Sequence, residues 1–236
     1  MIRRLFVSLT FDDGFLSHVM LAKELAKHGI YSTFFVTPYF KGRNFLSNKL
    51  ESLKIISRLG HEVGSHGLSH RPLVALTPSD AEYEIKASKA ILEDIIGRKV
   101  YGFAYPFDFF NNQVIAIVMR HYDYARRGFD PYDILNISVL NNKNKNNYSI
   151  TRYLINSINP LLSIRRIMRI LELRISYYGH RHVPYDDTGW LVLTFHNEPM
   201  NKVLSFISLI KQVSNLLDIK VEFRPVCSIL FNECLE

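Results

Sequence analysis

The sequence predicts an α/β fold in which a mainly parallel sheet, covered by helices, curls into an irregular barrel. Three observations lead there. Short apolar runs alternate with amphipathic segments along most of the 236 residues, the pattern that builds parallel sheets through helical crossovers. The length is ordinary for one α/β barrel and long for a small sandwich. No Pro/Gly/Ser-rich linker and no internal repeat divides the chain, so residues 1–236 are expected to form one domain.

Each element has its own signal. Residues 5–10 are a short apolar run, and 16–28 an amphipathic helix closed by Gly29. Residues 33–37 form the next strand, 47–59 a helix ending at Gly60, and 61–65 a third strand. Thr77 offers an N-cap hydroxyl before Pro78 at the first helical position, opening a helix to about residue 96. Residues 100–104 are strand-like, 112–121 helical and 122–125 strand-like again. Farther on, 136–140 reads as a strand, 141–147 as a polar Asn/Lys loop, and 160–178 as a long helix. A buried-type strand at 191–195 and a helix at 201–217 complete the pattern.

Composition narrows the function classes. With 47% hydrophobic and 22% charged residues, the chain matches soluble globular proteins and not disordered ones. A chain this long buries well over half of its unfolded surface and needs no structural metal, so a metal here is expected to be catalytic. Cys227 and Cys234 have no His or Cys at zinc-ligand spacing. They are expected to be reduced packing residues, which favours a cytoplasmic setting. No secretory segment is expected ahead of the first strand, and no apolar run is long enough for a transmembrane span. The formal charge is +7, with Arg165, Arg166, Arg169 and Arg174 recurring along one predicted helix and Lys143 and Lys145 nearby. Such a face could attract an acidic glycan, a membrane surface or nucleic acid. It reads as a solvated helix face, and no nucleic-acid module accompanies it.

In (β/α) barrels, chemistry gathers where strands end at their C-terminal side. Four polar clusters fall in such places: Asp12–Asp13, His66–His70, Tyr105–Phe107 and His196. Adjacent carboxylates leaving a strand diverge, so one can hold a metal while the other stays free as a base; the plainer reading is a strand-end turn before Gly14. His66 and His70, four apart, can reach one ion, and Asp12 or Asp13 would complete a three-ligand set with open positions. His180 and His182 flank Arg181 in a polar segment and are read as solvated. His196 ends an apolar strand, and a histidine titrating near neutrality suits protonation of a leaving amine.

Four motifs in order, Thr10-Phe11-Asp12-Asp13-Gly14, His66-Gly67-Leu68-Ser69-His70, Phe103-Ala104-Tyr105-Pro106-Phe107 and Leu193-Thr194-Phe195-His196, resemble those of the polysaccharide deacetylases, carbohydrate esterase family four. The resemblance implies a distorted, TIM-like (β/α) barrel of about seven units. It implies a hydrolase of linear amide bonds that removes N-acetyl groups from amino sugars. It also assigns roles: Asp12 as general base, Asp13, His66 and His70 as ligands of a divalent metal, usually zinc, and His196 as general acid. Phe107 sits where the family offers a backbone N–H to the oxyanion, with Tyr105 and Pro106 as substrate-binding residues. The sequence departs from the family at Ala104, where an arginine commonly orients the base, and at Gly67, where Ser or Thr is common. The family's Asp-and-Trp signature has no clear match. Arg126 and Arg127 lie in the corresponding region and could supply the missing charge.

Two other readings compete with sugar N-deacetylation: an amidase or imidase on a small non-sugar amide, and a catalytically impaired carbohydrate-binding barrel. Tyr39, Phe40, Tyr105, Phe109 and Phe110 are aromatics near the proposed strand ends, available for stacking on a sugar ring.

Overall fold

A computed structural model describes residues 4–127, 138–139, 153–156 and 188–231. In chain order its elements are β1 (Arg4–Phe11), α1 (Ser17–Lys27), β2 (Thr33–Val36), α2 (Leu53–Arg58), β3 (Glu62–Ser65), α3 (Pro78–Ile96), β4 (Gly102–Ala104) and α4 (Asn112–His121). There follow β5 (Tyr124–Arg127), β6 (Ser138–Val139), β7 (Tyr153–Asn156), β8 (Thr188–Phe195), α5 (Met200–Leu216), β9 (Lys220–Phe223) and α6 (Val226–Leu230).

One curled sheet runs β6-β8-β1-β2-β3-β4-β5-β7, and β9 pairs with the first half of β1. The strand pairs are parallel except β6–β8. This is the α/β barrel class that the alternation predicts. Strands β2, β3 and β4 are buried throughout, as expected of parallel strands covered on both faces. Alternate residues therefore serve two cores. Phe34, Phe103, Ala125 and Leu193 pack with the covering helices. Phe35, Ala104, Tyr124 and Val192 face the inside of the curl, with Val226 and Cys227 of α6.

The interior is partly polar. Glu62 is buried and accepts from the Thr33 hydroxyl at 2.7 Å, the Tyr124 hydroxyl at 2.8 Å and the Cys227 N–H at 3.0 Å. Burial raises its pKa above the usual carboxylate value, although these bonds oppose the rise. Above it, one period of the strand farther along β5, Arg126 points into the same space.

The structure differs from the sequence pattern in several places. The expected helix over 47–59 is two 3₁₀ turns followed by the short α2. Ser47 and Asn48 spend their side chains on the carbonyls of Phe40, Gly42 and Phe45, competing with helical pairing. Strand β5 starts two residues later than expected, because Tyr122 serves as the extended C-cap of α4. Strand β9 and helix α6 have no counterpart among the expected elements. Cys227 is disulfide-bonded, which corrects its reading as a reduced packing residue. The thiol argument for a reducing compartment falls with it.

Within the region 136–140, β6 occupies Ser138–Val139. The expected loop at 141–147, the helix at 160–178 with its arginines, His180, His182 and Cys234 lie outside the described residues. Among the described residues no helix is long and apolar enough to cross a membrane.

Candidate active site

The end of β1 separates its two carboxylates by backbone geometry. The Asp12 N–H extends the pairing with β8 by donating to Phe195 O at 2.9 Å. At Asp13 the chain turns left-handed, with φ 70°, and Gly14 follows at φ 78°. A side chain at Gly14 would place its Cβ 2.8 Å from Val36 Cγ1, so the turn that aims Asp13 also requires glycine.

That turn brings Asp13 Oδ1 within 3.4 Å of His66 Nε2 and 3.2 Å of His70 Nε2. The three ligand atoms all lie within 4.8 Å of one another. His66 donates from Nδ1 to Ala104 O at 2.9 Å. A carbonyl can only accept, so Nδ1 carries a proton and Nε2 is the nitrogen turned toward Asp13. His70, at φ 58°, has its ring between Phe40 and Phe107, with centroids 4.8 and 4.5 Å away. Burial opposes ionisation of Asp13, but the bonds and charges of His66 and His70 outweigh it and hold the carboxyl well below its ordinary range. Burial likewise opposes a proton on His66, and the bond to Asp13 overcomes it, raising its pKa. Each group therefore draws positive charge into the site. One carboxylate oxygen and two imidazole nitrogens, converging with open positions, fit a divalent ion of the zinc type.

Asp12 faces a different partner. Arg126 Nη2 donates to Asp12 Oδ2, and Nη1 donates to Thr194 Oγ1 at 3.1 Å. The guanidinium lies 5.4 Å over the Phe35 ring, and Nη1 is 3.7 Å from Asp108 Oδ1. Arg126 is 1% and Asp12 3% exposed, so this ion pair operates away from bulk water, where such bonds are strong. Asp12 Oδ1 is buried and has no hydrogen-bond partner among the described residues. Arg127 points to the opposite face of β5, over the ring of Phe110 at 5.5 Å, and does not meet Asp12. Strand alternation decides between the two arginines.

The turn after β4 is left-handed at Phe107 (φ 58°) and Asp108 (φ 56°). Such conformations cost about 1–3 kcal/mol each in a non-glycine residue and cluster where function holds them. Phe107, Phe109 and Tyr39 are exposed. Tyr105 and Pro106, expected to touch substrate, are instead buried. Tyr105 packs against Phe103 and Phe110, and burial raises its pKa. Pro106 backs onto Gly67, where a Cβ would approach its Cγ to 3.3 Å. These two residues shape the turn from beneath, because the chain leaves β4 still inside the core.

His196, at the end of β8, is exposed, and its N–H donates to Glu198 Oε2 at 2.5 Å. Its carbonyl meets His18 Nε2 at 2.7 Å. Sequence reasoning alone misses His18. It is buried on α1 among Phe11, Phe15 and Phe34. Burial lowers its pKa to about 4, so at neutral pH it is uncharged and donates from Nε2. Its place on an amphipathic helix makes it look like any other core position, and no sequence signal distinguishes it.

Comparison with known proteins identifies the family. Residues 3–124 match the family model described as Polysaccharide deacetylase. A peptidoglycan deacetylase of Helicobacter pylori is 32% identical over 87 residues, which are 35% of this chain and 30% of that protein. The chain's matches cover between 28% and 43% of the curated relatives' lengths. A solved peptidoglycan N-acetylglucosamine deacetylase, in complex with 4-naphthalen-1-yl-N-oxidanyl-benzamide, superposes with a TM-score of 0.60 at 18% identity, covering 97% of this chain and 89% of that one. A Bacillus anthracis protein described as a CE4 family pseudoenzyme superposes at 0.59 with 16% identity, covering 100% and 67%. At these identities the two structures establish a shared fold.

Proposed function

The chain belongs to the polysaccharide deacetylase family, and from that premise we propose that it hydrolyses the N-acetyl amide of an amino sugar or sugar conjugate, releasing acetate. The observation that carries the reading is the convergence of Asp13 with His66 and His70 beside the buried Asp12–Arg126 pair.

Asp13, His66 and His70 would hold a divalent ion, most simply zinc. When bound, that ion supplies Lewis acidity toward the acetyl carbonyl and the attacking water. The chain's own residues do the rest. Asp12 takes the proton from the water through Oδ1, the oxygen that Arg126 leaves unused. Arg126 fixes the carboxylate rotamer by holding Oδ2. The Phe107 N–H, aimed by the left-handed turn, stabilises the oxyanion as the carbonyl carbon becomes tetrahedral. His196 delivers a proton to the departing amine, so the C–N bond breaks to give acetate and a free amino group.

The exposed rings of Phe107, Phe109 and Tyr39 favour a sugar over a small imide, since the flat faces of sugar rings stack on aromatics. The test is acetate release from a panel of N-acetylated sugars, oligosaccharides, small amides and cyclic imides, with and without added zinc. Zinc-stimulated turnover of at least one N-acetyl sugar is expected. Turnover of imides alone would replace this reading with that of an amidase or imidase, and metal binding without turnover of anything would leave a carbohydrate-binding barrel.

A further inference from the structure

The segment joining His66 to His70 is held from behind by α3. Glu84, on the buried face of that helix and 4% exposed, accepts the N–H groups of Leu68 at 3.1 Å and Ser69 at 2.9 Å on Oε2. Its other oxygen accepts the Ser69 hydroxyl at 2.5 Å. One helical turn on, Ser88 shares a 2.7 Å hydrogen bond with Ser65, whose Oγ receives the Gly67 N–H at 3.3 Å. Positions 84 and 88 lie on one helix face, so α3 holds the Leu68 and Ser69 amides directly through Glu84 and backs the Gly67 amide through Ser88 and Ser65.

Several features set Glu84 apart from an ordinary packing residue. No cation forms an ion pair with it among the described residues; its charge is met by amides and a hydroxyl. Burying a carboxylate is costly unless such charge-assisted bonds are complete. The bonds end one residue before His70, whose backbone is left-handed and so depends on its surroundings to stay there. Gly67, also left-handed at φ 77°, lies close enough that a Cβ there would come 4.0 Å from Glu84 Oε2. A carboxylate nested in successive backbone amides is a rigid device, and here it sits directly beneath two of the three convergent ligand atoms.

We propose that Glu84 is a positioning residue for the metal centre: through the amides of Leu68 and Ser69 it sets the separation and aim of His66 and His70, and with them the affinity for the ion. The proposal rests on the reading of Asp13, His66 and His70 as ligands. Groups behind metal ligands typically change affinity by about 10- to 100-fold when removed.

The experiment uses the full chain and measures zinc affinity by chelator competition and the visible spectrum with cobalt in place of zinc. Wild type is measured first; if it binds neither ion, the metal reading fails, and this proposal with it. With wild-type binding in hand, Glu84→Gln is expected to weaken zinc at least about tenfold and Ser69→Ala a few-fold, each altering the cobalt spectrum. A merely structural role would lower the melting temperature of the metal-free protein yet leave affinity and spectrum unchanged. If both variants bind within twofold of wild type with its spectrum, the proposal is overturned and the metal reading stands. Should Glu84→Gln fail to fold, Ser69→Ala decides alone, because it removes one bond without leaving an amide buried against the nest.

Discussion

Ala104 and Arg126 are register partners on the adjacent parallel strands β4 and β5, so both project into the interior of the curl, where one has a methyl group and the other a guanidinium on Asp12. The small residue leaves room for the long one. Arg126→Met is therefore expected to lower turnover by about 100-fold or more with metal content intact, whereas Arg127→Met should change it little. Removing the arginine strands a buried carboxylate, a loss of about 3–5 kcal/mol, so folding is checked alongside. The register suggests a sharper control: Ala104→Arg combined with Arg126→Ala should recover part of the lost turnover. If neither arginine matters, Asp12 is oriented in some other way.

Asp12 and Asp13 are neighbours in sequence whose proposed jobs are separable. Asp12→Asn should keep the metal and lose about 10²- to 10⁴-fold in acetate release, since an amide cannot take the water's proton. Asp13→Asn, His66→Ala and His70→Ala should instead lose the metal, as a three-ligand site tolerates no missing ligand. Metal content by elemental analysis and acetate release, measured on the same preparations, separate the two roles. Near-normal turnover in Asp12→Asn would remove Asp12 from the mechanism.

His18 makes stability depend on pH. Its pKa is about 4 in the folded protein against an ordinary 6.5, so between those values the unfolded chain binds the extra proton. Its contribution is fully present above pH 6.5 and declines as pH falls toward 4, by at most about 1.4 kcal/mol per pH unit. Burial of His61 acts in the same direction. Urea unfolding at about pH 7.5 and about pH 5 should show wild type losing up to about 2 kcal/mol more than His18→Gln. Equal losses would mean that His18 does not stay neutral when folded.

The parts legible from the sequence were those that depend on periodicity and residue type. Alternating segments located the strands, Thr77 and Pro78 located the start of α3, and paired carboxylates and histidines at strand ends located the convergent cluster. What escaped depends on partners distant in the chain. His18 and Glu84 sit on amphipathic helices, where a buried polar residue is indistinguishable from a surface one until its partner is known. Arg126 and Arg127 could not be told apart until the register of β5 was fixed. The burial of Tyr105 and Pro106, offered as substrate-binding residues, was not legible because the turn after β4 begins inside the core. The disulfide of Cys227 has no signal in a chain with two cysteines.

Two glycines test the β1 turn. Gly29 is left-handed at φ 65° and a Cβ there would meet nothing within 4 Å, whereas Gly14 at φ 78° faces Val36 Cγ1 at 2.8 Å. Gly29→Ala should cost only backbone strain, about 1–2 kcal/mol, and keep the metal. Gly14→Ala should cost more and shift Asp13, weakening metal binding as well. Urea unfolding paired with metal content reads both effects; a Gly14→Ala protein with wild-type affinity would show that Asp13 is not held by this turn.

Among the described residues, Asp13, His70, Phe107 and Asp108 are four of the five non-glycine positions with left-handed backbone, and all four lie at the candidate site, Asp13 against His70, His70 against Phe107 and Asp108 near Arg126. Each would be more comfortable as glycine. Laboratory evolution that rewarded heat tolerance alone would thus accumulate glycine at these positions, and its survivors would be robust and inactive. On the proposed function, catalysis and durability compete most directly at Asp13 and His70, whose side chains would hold the metal.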